Sequence, residues 1–334
     1  MSGAPTTGPT TSTTPLTKVK QSRWPIPSIP PQALAIGSMI SVQLGAALSK
    51  RLFSLLDPSA VVFLRLAFGA VILLLVWRPR RATLAAQGSA LEMRRSTRYG
   101  SIALFGLALA AMTFFYYQAI ARLPLGVAVT LEFIGPLGVA VSGSRRWLDL
   151  LWVALAAGGI VLLSPWNPLS VSAQGRLDPL GVVFALLAAV FWAAYILLSA
   201  RVGQAFSGGA GLALALAVAG LLLAPVGIVT GGARLLSPEI LALGLGVALL
   251  SSALPFSLEL VALRTLPTRI FGILMSLEPA VATLIGFLTL HEELSLIPLI
   301  AMALVTLASL GASRFRADRP AKSKGDMIEF LDQP

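Results

Sequence analysis

Apolar and polar positions alternate along this chain in long blocks rather than residue by residue. Ten predominantly apolar runs lie at about 32–53, 59–77, 99–121, 124–143, 147–165, 179–200, 208–230, 239–261, 268–290 and 295–313, joined mostly by short polar connections. At a rise of about 1.5 Å per residue, about 17–25 residues cross a hydrocarbon core about 30 Å thick. The pattern predicts an all-α polytopic membrane protein with ten transmembrane helices. Residues 1–23 are rich in Thr, Pro, Gly and Ser without apolar periodicity, which predicts a disordered tail rather than a signal peptide. The longest polar interruption is about 78–98, and the chain beyond Arg314 is polar again.

The ten runs fall into two related sets. The segment around Leu123-Pro124 lies on that around Leu266-Pro267 at an offset of 143 residues, which also carries Pro136 onto Pro279. Five helices per half is an odd number, so the second half enters the membrane in the opposite sense, an inverted repeat of the kind secondary transporters use. The expected division is a cytoplasmic tail at 1–31, a first five-helix repeat at 32–165, an extracytoplasmic linker at 166–178, a second repeat at 179–313 and a cytoplasmic tail at 314–334.

Composition agrees with this picture: 56% of residues are hydrophobic and 12% charged, against about 25% charge in ordinary soluble domains. The net charge of +11 is distributed as in cytoplasmic loops. With the N-terminus inside, nineteen basic residues fall on the inner side, and only Lys50, Arg51, Arg122, Arg176 and Arg234 on the outer. Both termini are thereby placed in the cytoplasm. Anionic inner-leaflet lipid, not nucleic acid, is the partner this charge predicts. With no cysteine and one histidine, His291, the chain lacks thiolate chemistry and paired-histidine zinc motifs. No GxSxG, GxxxxGK[ST] or GxGxxG motif is present, so neither an enzyme nor a cofactor is expected, and ATP is not the direct energy source.

Polar residues at bilayer depth mark the expected site. Glu132 and Glu278 lie near the middle of the fourth and ninth runs, close before Pro136 and Pro279. An intramembrane carboxylate is costly, so the pair predicts a substrate ammonium or proton site; the alternative is a protonated or arginine-paired group that holds helices together. Each proline deletes a helix hydrogen bond to the residue four before it, Glu132 and Met275, and predicts a bend or break there. Arg65, inside the second run, is expected to bind a substrate carboxylate, to pair with a glutamate or to snorkel outward. Gln43, Trp192 and Tyr195 are candidate cavity walls. Glu259 with Arg264 reads as an ion pair or gate. Tyr116 and Tyr117 could line the same cavity but read rather as interfacial anchors, and His291, Glu292 and Glu293 read as a solvated turn.

Several of these motifs resemble a known family. Leu131-Glu132-Phe133-Ile134-Gly135-Pro136-Leu137, Gly143-Ser144-Arg145-Arg146 and Leu148-Asp149-Leu150-Leu151-Trp152-Val153 resemble the first EamA unit of threonine/homoserine exporters in the drug/metabolite transporter superfamily. Ser251-Ser252-Ala253-Leu254-Pro255, Leu258-Glu259-Leu260 and Phe271-Gly272-Ile273-Leu274-Met275-Ser276-Leu277-Glu278-Pro279-Ala280 resemble the second. The resemblance covers about residues 32 to 313. It implies two inverted EamA repeats in the bacterial cytoplasmic membrane and proton-driven export of small amino acids or related metabolites. Two positions depart from the family pattern: His291-Glu292 stands where a Gly-Glu turn is usual, and Arg264-Thr265 where an Arg-Arg pair is. The competing expectations are an exporter of other metabolites or drugs and a non-transporting membrane scaffold. The resemblance fixes neither the substrate nor the oligomeric state.

Overall fold

In a computed structural model, residues 30–77, 95–142, 148–163, 171–172, 175–205, 209–293 and 295–314 are described. Thirteen α-helices appear among them: α1 (Pro31–Leu52), α2 (Pro58–Trp77), α3 (Arg95–Ile120), α4 (Leu125–Glu132), α5 (Ile134–Ser142), α6 (Leu148–Leu162), α7 (Pro179–Ala205), α8 (Ala210–Gly231), α9 (Pro238–Ala248), α10 (Leu254–Thr265), α11 (Thr268–Met275), α12 (Glu278–Leu290) and α13 (Leu296–Arg314). Val171–Ser172 and Gly175–Arg176 form a minimal antiparallel ladder between the halves. Eight helical stretches are long and apolar enough to cross a membrane, with α4–α5, α9–α10 and α11–α12 each acting as one; Leu150–Leu162 and Leu296–Ala312 are shorter apolar helices. Most of the expected runs are thus found, although two fall short of full spanning length. Residues 1–29 and 315–334 of the predicted tails and 78–94 of the predicted interruption at 78–98 lie outside the described residues, while α3 already begins at Arg95.

Helix starts share a device. Asp57, Asp178 and Ser237 each precede a proline, and their side chains accept from the backbone N–H of Ser59 (2.8 Å), Leu180 (2.9 Å) and Ile240 (3.2 Å). A capping oxygen satisfies one orphan donor, while proline in the first turn removes another and presets φ.

The packing follows the logic of an inverted repeat. Equivalent helices meet in α2 with α8 and α6 with α13, α4 packs on α12, the second part of the interrupted span equivalent to its own, and α1 packs on α10 as α7 packs on α3. Helices α4 and α11 correspond residue for residue at the offset of 143 found in the sequence, and both follow a proline with nearly the same backbone angles, φ −54° and ψ 143° at Pro124, φ −55° and ψ 137° at Pro267. Large apolar side chains such as Leu75, Leu150, Leu221 and Val229 stay exposed, as lipid-facing positions do in a protein whose backbone is satisfied within its helices. The chain is a multi-pass membrane protein.

Candidate functional site

Two helix interruptions bring the expected carboxylates to the middle of the bundle. Pro136 has no N–H to offer the carbonyl of Glu132, and α4 ends at Glu132 before α5 begins at Ile134. Pro279 likewise leaves the carbonyl of Met275, and α11 ends there before α12 begins at Glu278. Glu132 closes one helix, where free carbonyls add to its attraction for a cation, and Glu278 opens another. Both are buried, at 8% and 7% exposure, and they lie within electrostatic reach of one another and, for Glu132, of Arg65. Gln43, on α1 and almost fully buried, donates from Nε2 to Glu278 Oε1 at 3.2 Å. Glu278 Oε2 and Gln43 Oε1 are buried and have no hydrogen-bond partner among the described residues.

Arg65 is held chiefly by backbone and hydroxyl oxygens of the second half. Among the described residues it forms no ion pair with a glutamate. Its NH2 donates to the backbone oxygen of Ser251 at 2.9 Å, its Nε to Ser252 Oγ at 3.3 Å, and its guanidinium lies 5.4 Å from the Tyr117 ring centre. The reason is a third interruption. Pro255, four residues after Ser251, cannot serve that carbonyl, and Leu249–Ala253 widens into a π-turn between α9 and α10. Arg65 takes up the freed Ser251 oxygen, and Ser41 Oγ donates to that of Leu250 at 2.7 Å. Gly45 lets α1 approach this turn; a Cβ there would stand 2.1 Å from Ser251 Oγ.

The remaining expected residues form a second layer toward the end of the bundle that holds Pro31 and Arg314. Ser38 Oγ donates to Glu259 at 2.6 Å, and Glu259 lies within electrostatic reach of Glu278 and Tyr195. The Arg264 side chain lies outside the described residues. Tyr195 stacks on Phe105 at 5.1 Å, and Trp192 meets Phe133, the residue at the α4–α5 break, edge-on at 5.6 Å. Trp192, Tyr195, Glu259, Phe271, Leu274 and Met275 are half-buried, whereas Ser49, Tyr117, Leu125 and Val129 on the other side of the carboxylates are buried. These side chains toward the end bearing the described termini are therefore less fully covered than those on the other side of the carboxylates.

Two expectations are overturned at the opposite end. Tyr116 and Tyr117 are core residues rather than surface anchors, at 6% and 0% exposure, and Tyr117 shares a 2.9 Å hydrogen bond with Ser49. Glu292 is not part of a solvated turn. It is buried, pairs with Lys50 Nζ at 2.5 Å, and accepts from the backbone N–H of Leu125 at 2.8 Å, capping α4. Lys50 also donates to the Leu123 carbonyl at 2.7 Å. One ion pair thus ties the end of α1, the start of α4 and the end of α12 together. His291 sets its course by adopting a left-handed conformation, φ 55°, just after α12. Sequence reasoning missed Lys50, Glu292, Ser251 and Ser252; Pro255, four residues past Ser251, was the available signal for the last two.

The EamA-like transporter family matches residues 179–314. The threonine/homoserine exporter RhtA of Escherichia coli (strain K12) is 41% identical over 283 residues, 85% of this chain and 91% of the relative. That of Salmonella typhimurium (strain LT2) is 41% identical over 276 residues, 83% and 88% of the two chains. A protein crystal structure with 18% sequence identity superposes with a TM-score of 0.55 over 86% of this chain and 99% of its own, which supports the fold. From its ordered motifs through its paired helix interruptions to these relatives, the chain belongs to the EamA-like transporter family.

Proposed function

We propose that this protein exports small amino acids of the threonine/homoserine kind across the bacterial cytoplasmic membrane, with both termini in the cytoplasm, by alternating access coupled to protons. The two five-helix halves, 32–165 and 179–313, close in turn on either side of the central site. The observation that carries the reading is Glu278: one oxygen is held by Gln43, the other is buried with no hydrogen-bond partner among the described residues, and the group acts electrostatically on Glu132 from the other half. A buried carboxylate oxygen left unsatisfied favours a protein that binds a cationic group there transiently, because a purely structural role is better served by an apolar residue. The relatives named threonine/homoserine exporters supply the substrate class. Glu132 and Glu278 engage the substrate ammonium or a proton, and Gln43 orients Glu278. Trp192 and Tyr195 shape the cytoplasmic approach, with Glu259 as its gate. Arg65 secures the π-turn that forms one wall.

The test is efflux of radiolabelled threonine and homoserine from proteoliposomes with and without an imposed pH gradient. Export accelerated by acid outside, and an acceleration lost in Glu132→Gln and Glu278→Gln, is the expected result. Equal flux with and without the gradient removes proton coupling, and full coupled export by both variants removes the carboxylates from the mechanism.

A further inference from the structure

Glu278 Oε2, Gln43 Oε1 and the Tyr116 hydroxyl are buried without a hydrogen-bond partner among the described residues. Leaving one such atom unsatisfied costs about 1–3 kcal/mol, so three together are better explained by an intermittent ligand than by packing. Glu278 and Gln43 already belong to the proposed site. Tyr116 does not, yet its side chain lies within electrostatic reach of Glu132, Glu278 and Arg65. Its neighbour Tyr117 is satisfied, with its hydroxyl on Ser49 and its ring beneath Arg65. Phenylalanine would fill the Tyr116 position without burying an unpaired oxygen.

Counting donors and acceptors separates the parts of a ligand. Gln43 turns its amide nitrogen to Glu278, so its free Oε1 only accepts. The Tyr116 hydroxyl donates as well as accepts. An ammonium group can donate to both but leaves the phenol hydrogen unused, and a carboxylate can accept from the phenol but has no hydrogen for Gln43. A hydroxyl answers both, giving its hydrogen to Gln43 Oε1 while accepting from Tyr116. We infer that Tyr116, with the Gln43 carbonyl, reads the side-chain hydroxyl of the transported amino acid and sets the preference for hydroxylated substrates. This inference rests on the export reading above. A site built to hydrogen-bond a substrate hydroxyl discriminates strongly against an analogue without one, because its polar groups are then left unpaired.

The test compares efflux kinetics of homoserine, threonine and 2-aminobutyrate, the compound that both become on losing the hydroxyl, for the full chain and for Tyr116→Phe in proteoliposomes. The native chain is expected to favour the hydroxylated pair by roughly tenfold or more in kcat/KM, and the variant to narrow that ratio to about threefold, with the change in KM. The variant deletes only an unpaired oxygen, so its unfolding temperature should match or exceed the native one. An unchanged ratio in Tyr116→Phe overturns the inference, as does a variant that loses all three substrates equally. A native chain that moves 2-aminobutyrate as well as homoserine overturns it while leaving export intact, and a native chain that moves none of the three overturns both readings.

Discussion

At the scale of single residues, several side chains complete backbone groups that regular helices leave open. Arg65 takes the carbonyl that Pro255 cannot serve, and Glu292 takes the first N–H of α4, so charges in or near the membrane are used as hydrogen-bonding partners. His291 makes the Glu292 contact possible at some expense, because a side chain in the left-handed region crowds its own carbonyl. Glycine, usual at this place in the resembling family, removes that strain but adds freedom to the unfolded chain. His291→Gly is expected to stabilise the protein by about 0.5–1 kcal/mol, seen as a higher unfolding temperature in detergent. A lower temperature would mean that the imidazole makes a contact worth more than the strain.

At the scale of elements, the interrupted helices decide the architecture of the site, and they differ in how far the sequence disclosed them. The breaks at Glu132 and Met275 were legible because proline and carboxylate coincide in runs otherwise apolar, and because the offset between Pro136 and Pro279 matches that between Pro124 and Pro267. The π-turn before Pro255 was less so, since the proline alone marks it, no charge accompanies it and its partner, Arg65, is nearly two hundred residues earlier. Tyr116 and Tyr117 misled for a related reason: a tyrosine near a helix end looks the same in sequence whether it faces headgroups or a neighbouring helix, and only tertiary packing decides. Gly45 tests the π-turn's importance. A methyl group there would overlap Ser251 Oγ and crowd the backbone nitrogen of Ser251 at 3.0 Å, which cannot rotate away. Gly45→Ala is expected to push α1 off the turn, destabilise the protein by about 1–3 kcal/mol and slow export several-fold, because Gln43 travels with α1. An alanine variant with native stability and native flux would show that α1 does not need this close approach.

At the scale of the whole molecule, the carboxylates lie between a sealed end and a looser one, and alternating access requires that difference to reverse. The seal is joined by Lys50 and Glu292, whose bonds link α1, α4 and α12, helices from both halves. Removing one partner of a partly buried pair leaves the other charge uncompensated, and it regains solvation by moving to water. Lys50→Met should therefore favour the conformation open at the Lys50 end at the expense of the one open at the end that holds Pro31 and Arg314. Because the chain contains no cysteine, single reporters can follow both ends without background. Val127, 2% exposed, lines the groove beneath Glu292 with Thr283 and Met302, and Leu274 is half-buried on the opposite side of the site. In Val127→Cys, maleimide labelling is expected to be slow and to accelerate roughly tenfold when Lys50→Met is added, the effect of a shift of about 1.4 kcal/mol between two states. In Leu274→Cys the same substitution should leave labelling unchanged or slow it slightly, since the major population loses only what the minor one gains. Faster labelling at both positions would instead indicate general loosening, and rates unchanged by Lys50→Met at both would show that this ion pair does not hold its end of the bundle closed.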